Sequence, residues 1–124
     1  MEVVHTNNAP QAIGPYSQAI ISGNHVFTSG QIAINPQSGN VEAQNISEQT
    51  EQVCKNLAAV LEAASSSLEN VIKTTCFLAD MADFAAFNEI YGKYFTGKPA
   101  RSCVAAKTLP KNVLVEVEAI AELK

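Results

Sequence analysis

The apolar positions of this chain change period several times, and each change marks an element. "AIISGNHVFTSGQIAI" (19–34) reads as two apolar-rich strands joined at Ser22-Gly23-Asn24, a short turn of residues that tolerate positive φ, and so predicts a β-hairpin. "NPQSGN" (35–40) is a second turn signal. From Ser47 the period lengthens: Val53, Leu57, Val60, Leu61, Ala64 and Leu68 recur every three or four residues, with Glu48, Glu51, Lys55 and Glu62 off the stripe. That spacing predicts an amphipathic helix, capped by Ser47 or Asn45, with Glu48 and Glu51 near its positive dipole end. "VIKTTCFLA" (71–79), β-branched and aromatic, predicts a strand. A second helix follows with Asp83 or Asp80 as cap, an apolar face of Phe84, Phe87, Tyr91, Tyr94 and Phe95, and a stop at Gly97 and Pro99.

Two strand-like segments close the chain, "ARSCVAAK" and "VLVEVEAIAEL". The second alternates almost completely. Val113, Val115, Val117, Ala119 and Leu123 fall on one face, suited to lie under helices, and Leu114, Glu116, Glu118 and Ile120 on the other. The order β-β-α-β-α-β implies an α+β two-layer sandwich, one mixed sheet with two helices on one face. A face that interleaves Leu114 and Ile120 with carboxylates is neither a plain solvent surface nor a closed core. It predicts an oligomer interface with a polar site in it, and hence a homo-oligomer.

With 124 residues the chain is one domain, 1–124, large enough for a core without disulfides or structural metal. At 47% hydrophobic and 16% charged residues it is too apolar to be disordered, and no apolar run approaches the ~20 residues of a spanning helix. No membrane association is expected. The start lacks a basic segment followed by a long apolar one, and the cysteines (Cys54, Cys76, Cys103) are odd in number and widely spaced, which suits a reduced, cytoplasmic protein. There is no CxxC pair, and His5 and His25 lack ligand spacing, so no metal is expected. A net charge of -4 with scattered lysines disfavours nucleic-acid binding.

Arg101 is the only arginine, although seven lysines already supply positive charge. Its planar fork grips a carboxylate bidentately and stays charged at any physiological pH, which lysine cannot reproduce. Two roles fit it: clamping a ligand, or an interface salt bridge with Glu116 or Glu118. Cys103 shares its strand face; no histidine lies near in sequence, and packing is the commoner role of such a thiol, as for Cys54 and Cys76. Glu116 and Glu118 share one face of a strand whose other face is apolar. A partly buried carboxylate there can act as general acid or base, whereas a solvated pair does nothing. "GPYS" (14–17) offers Tyr16 to a pocket or to the core, and "TSGQ" (28–31) places Ser29 and Gly30 at a strand end where a ligand can approach the backbone or the chain simply turns.

Together "AIGPYSQAI", "VFTSGQI", "VIKTTCFLADMADFAAFNEIYGKYF", "PARSCVAA" and "LPKNVLVEVEAIA" resemble the RidA (YjgF-like) family of reactive-intermediate deaminases, in order and over almost the whole chain. The likeness is greatest to bacterial members historically labelled purine-operon regulators or translation inhibitors. The resemblance implies a chorismate-mutase-like α+β fold, a homotrimer with three clefts between neighbouring subunits, and cofactor-independent hydrolysis of 2-imino acids and their enamine tautomers to 2-oxo acids and ammonia. It places the carboxylate-binding arginine on Arg101, the cysteine two residues later on Cys103 and the acidic residue of the last strand on Glu116. The pocket tyrosine, serine-glycine pair and asparagine fall on Tyr16, Ser29, Gly30 and Asn88. Arg101 is then the clamp and Glu116 the group that positions or deprotonates water, with backbone near Gly30 and Cys103 fixing the imine nitrogen.

Two departures stand out. Many active members continue "RSCV" with Glu-Val-Ala-Arg, where this chain has Ala105, Ala106, Lys107 and Thr108, and the segment before Pro99 is a few residues short. The lost carboxylate shares a strand face with Arg101 and so bears on substrate range and rate. It keeps open a second reading, a non-catalytic trimer that binds small carboxylates and regulates another protein. RNA cleavage, attributed to family relatives, is opposed by the acidic balance and by the absence of a histidine or lysine cluster. The preferred imine, its source and any protein partner are not written in the sequence.

Overall fold

The hairpin turn forms where Gly23 adopts a φ of +60°, and it sets Ser22 opposite His25. In the computed structural model, which describes residues 1–124, the flanking strands are β2 (Ala19–Ser22) and β3 (His25–Thr28), and β1 (Glu2–Val4) pairs with β2 outside them. Strand β1 is not legible in the sequence, because three residues contain too little alternation to define a period. Helix α1 (Ile46–Ala63) leads to β4 (Val71–Leu78), α2 (Phe84–Tyr94), β5 (Ala100–Ala105) and β6 (Val115–Glu122).

The six strands lie in the order β1-β2-β3-β6-β4-β5, all pairs antiparallel except β4 with β5. The final strand of the expected order is therefore two: β6 enters the centre of the sheet and β5 its edge. The α+β class stands, a mixed six-stranded sheet with two helices.

Of the two candidate caps, Asn45 starts α1: its Oδ1 accepts the Glu48 N–H at 2.9 Å while its amide donates back to the Glu48 carboxylate. The helix ends where Ser65 turns left-handed at φ +62° and the Ser66 N–H returns to the Leu61 carbonyl. Before α2, Asp80 accepts the Ala82 N–H at 2.8 Å, and Asp83 makes no capping bond.

Val53, Leu57, Val60 and Leu61 of α1 and Phe87 and Tyr91 of α2 pack on Val115, Val117, Ala119 and Ala121 of β6 in one core cluster. Removal of this apolar surface from water drives the folding. On the opposite face the register aligns Val3, Ile20, Phe27 and Ile120 in a row across four strands, with Val3 61% and Phe27 44% exposed. Helices cover one face of the sheet and none covers this one.

Candidate functional site

Past Thr28, strand β3 parts from β6 and rejoins it only at Gln31, whose N–H and carbonyl pair with Val117. Thr28 Oγ1 fills one vacated place by accepting the Ala119 N–H at 3.0 Å. The Glu116 carboxylate sits in the gap against Gly30, where any Cβ would overlap it. Glycine lets the carboxylate take this position by close approach rather than through its φ. The Gly30 N–H makes no hydrogen bond within the chain, since those of Ser29 and Gln31 go to the Gln18 and Val117 carbonyls. Burial, helped by the neighbouring Glu118 charge, raises the Glu116 carboxyl above the ordinary carboxylate range.

A cleft of 390 Å³ opens over this carboxylate, and Tyr16, Ser29, Gly30 and Lys111 line it. Ser29 Oγ donates to the Ser17 carbonyl at 2.6 Å, leaving its lone pairs to accept from a guest. Tyr16 is 52% exposed, its ring over the cleft rather than in the core.

The walls are irregular backbone held by buried carboxamides, a feature the sequence reading misses. Gln18 binds Thr6 N–H, Thr6 O and Pro10 O, and Asn56 gives both amide hydrogens to the Ile32 and Ile34 carbonyls at 3.0 Å; away from the cleft, Gln49 accepts the Leu114 N–H at 2.8 Å. Asn56 and Gln49 break the apolar stripe of α1, which is the one trace of this in the sequence.

Arg101 belongs to a second group. It lies on β5 opposite Thr74 and points into the helix layer, where Nη1 donates to Asn88 Oδ1 at 2.7 Å. Its guanidinium carbon stands 4.9 Å from the Tyr91 ring centroid and 5.4 Å from that of Phe84. No carboxylate reaches it, the one ion pair in the chain being Lys55 with Glu51. A hollow of 450 Å³ adjoins it. Cys103 lies two residues along the same face, and burial raises its thiol pKa against the pull of Arg101. It is therefore a thiol rather than a thiolate, and the same holds for Cys54 and Cys76, both pushed up to about 12.

The chain thus brings together Tyr16, Ser29, Gly30 and Glu116 in one place and Arg101, Asn88 and Cys103 in another. Arg101 shares the buried face of Thr74 and Ala119, whereas Glu116 shares the open face through Phe77 and Val104. They are two strands apart, about 10 Å across the sheet, a further three residues, about 10 Å, apart along it, and on opposite sides. An Arg101–Glu116 salt bridge within the chain is excluded by this geometry.

A family model described as endoribonuclease L-PSP matches residues 6–123. The chain belongs to the Rid (YjgF) family. A RutC family protein of Pyrococcus horikoshii is 54% identical over 121 residues, 97% of this chain and 96% of that one. Reactive Intermediate Deaminase A, chloroplastic, of Arabidopsis thaliana is 48% identical over 123 residues, 98% of this chain and 66% of the plant protein. Among solved structures, E. coli TdcF with bound serine superposes with a TM-score of 0.94 at 41% identity, over 100% of both chains. Yeast Mmf1 gives 0.95 at 46% identity, over 99% of this chain and 98% of that one. In this Rid protein no helix is long and apolar enough to cross a membrane, and no group of three or more His, Cys, Asp or Glu is placed to hold a metal ion.

Proposed function

We propose that this Rid protein hydrolyses small 2-imino acids and their enamine tautomers, such as 2-iminopropanoate and 2-iminobutanoate, to 2-oxo acids and ammonia, at sites shared between the subunits of a homotrimer. The observation that carries this is the unneutralised Arg101: a guanidinium at a sheet edge with no carboxylate partner and a hollow beside it. Such a group is available to take the acid end of a ligand through paired, charge-assisted hydrogen bonds. The name of the Arabidopsis relative and the serine bound to TdcF agree with a small amino-acid-derived guest.

The reaction asks little of the protein. The imine carbon is already electrophilic, so orientation and proton transfer suffice. Arg101 holds the carboxylate. Glu116 of a neighbouring copy takes a proton from water as its oxygen bonds to carbon, and the C=N electron pair moves to nitrogen, which takes that proton from the carboxylate. Collapse of the carbinolamine then breaks the C–N bond and releases ammonia, the hydroxyl proton returning through the carboxylate. A carboxyl raised above its ordinary range is a stronger base when ionised and is more readily reprotonated for the second step. The free Gly30 N–H and the Ser29 lone pairs are placed to orient the nitrogen and the water.

The apolar row on the open sheet face is the surface a neighbouring copy covers, and it brings one subunit's Glu116 cleft to the next subunit's β5 edge. Neither His5 nor His25 lines either hollow, so no histidine is at hand there for RNA cleavage.

The test is ammonia release from imines generated in situ by an amino-acid oxidase. Wild type should accelerate it, and Arg101→Ala should lower kcat/KM at least about 100-fold without changing the assembly. No acceleration by wild type over buffer across imines of several sizes would end the enzymatic reading and leave a carboxylate-binding trimer.

A further inference from the structure

Phe84, Asn88 and Tyr91 are spaced by four and three residues, so they form one stripe on α2, and that stripe faces β5. Each meets the same group. The rings of Phe84 and Tyr91 lie against the Arg101 guanidinium, and Asn88 Oδ1 accepts one of its N–H bonds.

We infer that Phe84 and Tyr91 are positioning residues that hold the Arg101 fork by cation–π contact, so that its charge and remaining N–H groups stay free for the ligand's carboxylate. The inference rests on the reading of Arg101 as the clamp. An acidic partner would orient the guanidinium equally well, but it would neutralise the charge and occupy the edge a ligand needs. An aromatic face attracts the cation without taking a donor. Of five N–H bonds Asn88 uses one, which leaves a bidentate edge. In this arrangement Asn88 serves the arginine rather than the ligand directly.

The cradle is itself fixed. The Tyr91 hydroxyl is bonded to Thr74 Oγ1 at 2.7 Å, and its ring stacks on Phe95 at 4.4 Å and tilts against Phe87 at 5.4 Å. Thr74 is also the β4 residue paired with Arg101 in the sheet register. Backbone pairing and side-chain contact therefore converge on one geometry, whereas Phe84, half-buried at the start of α2, can be altered with less risk to the core.

Replacement of Phe84 by mono-, di- and trifluorophenylalanine preserves ring shape while draining electron density from its face. Calorimetry with 2-oxobutanoate should show affinity falling stepwise along the series, to about tenfold weaker at the last member. Phe84→Leu should match that loss and Phe84→Tyr should restore it. A merely structural ring would give a flat series, since fluorination does not reduce apolar bulk. Independently, the Arg101 δ-methylene protons of ligand-free wild type should be shifted upfield by ring currents, with part of the shift lost in Phe84→Leu. A flat series, or Arg101 protons at random-coil positions, overturns the cradle while leaving the clamp intact. Failure of wild type both to bind the 2-oxo acid and to hydrolyse imines removes the clamp, and the positioning role with it.

Discussion

Glu116 is held in a site that favours its protonated form, and this has a consequence for stability as well as for chemistry. Because burial and Glu118 raise its pKa in the folded chain, the folded state keeps the proton over a pH interval in which the unfolded chain has lost it. Stability therefore falls as pH rises through that interval, from the ordinary carboxylate value up to the raised one. At neutral pH the ionised side chain costs stability. Glu116→Gln should accordingly melt higher than wild type at pH 7, with the advantage vanishing at pH values low enough to protonate both states, while imine turnover drops at least about 100-fold. A variant less stable than wild type at pH 7 would contradict the burial argument. The same carboxylate explains Gly30, whose missing side chain is the space Glu116 occupies.

Among the elements, α1 does more than close the core. Asn56 has 1% relative exposure and spends both amide hydrogens on carbonyls of the cleft wall, 22 and 24 residues away in sequence. Asn56→Leu keeps the branched shape but adds bulk, leaves the Ile34 carbonyl unpaired and leaves the Ile32 carbonyl only the Ile34 N–H, so denaturant unfolding should show a loss of about 2–4 kcal/mol. A neutral result would mean that water or a shifted wall satisfies them. This contact shows what a linear reading can and cannot reach. The stripe of α1 as far as Ala64, the alternation of β6 and the hairpin at Gly23 are local periods, and they appear in the structure where the sequence places them, whereas Leu68, expected on the same stripe, lies beyond the left-handed Ser65 in a separate turn. The place of β5 at the sheet edge, the face Arg101 takes, and the meeting of Arg101 with an aromatic stripe read as plain core all depend on pairings between distant segments. Phe84 and Tyr91 are legible as apolar helix positions; that they flank a cation follows only from the parallel register of β4 with β5.

At the scale of the whole molecule, the candidate site is divided by the sheet. No single copy can present Arg101 and Glu116 to one pyruvate-sized guest, because they lie on opposite faces two strands apart. A heterologous contact between copies that closes into a ring supplies both groups at every junction, with no residue used twice. On the proposed reading, the row of Val3, Ile20, Phe27 and Ile120, exposed at Val3 and Phe27, and the carboxylates beside it form the surface for that contact. The division makes the claim directly measurable. Arg101→Ala and Glu116→Ala should each be inactive alone. When the two are unfolded together and refolded as a 1:1 mixture, every mixed trimer carries one junction with both groups intact, and ammonia release should return to about a quarter of the wild-type rate. A mixture as inactive as its components, beside an active wild type refolded in the same way, would contradict the shared site.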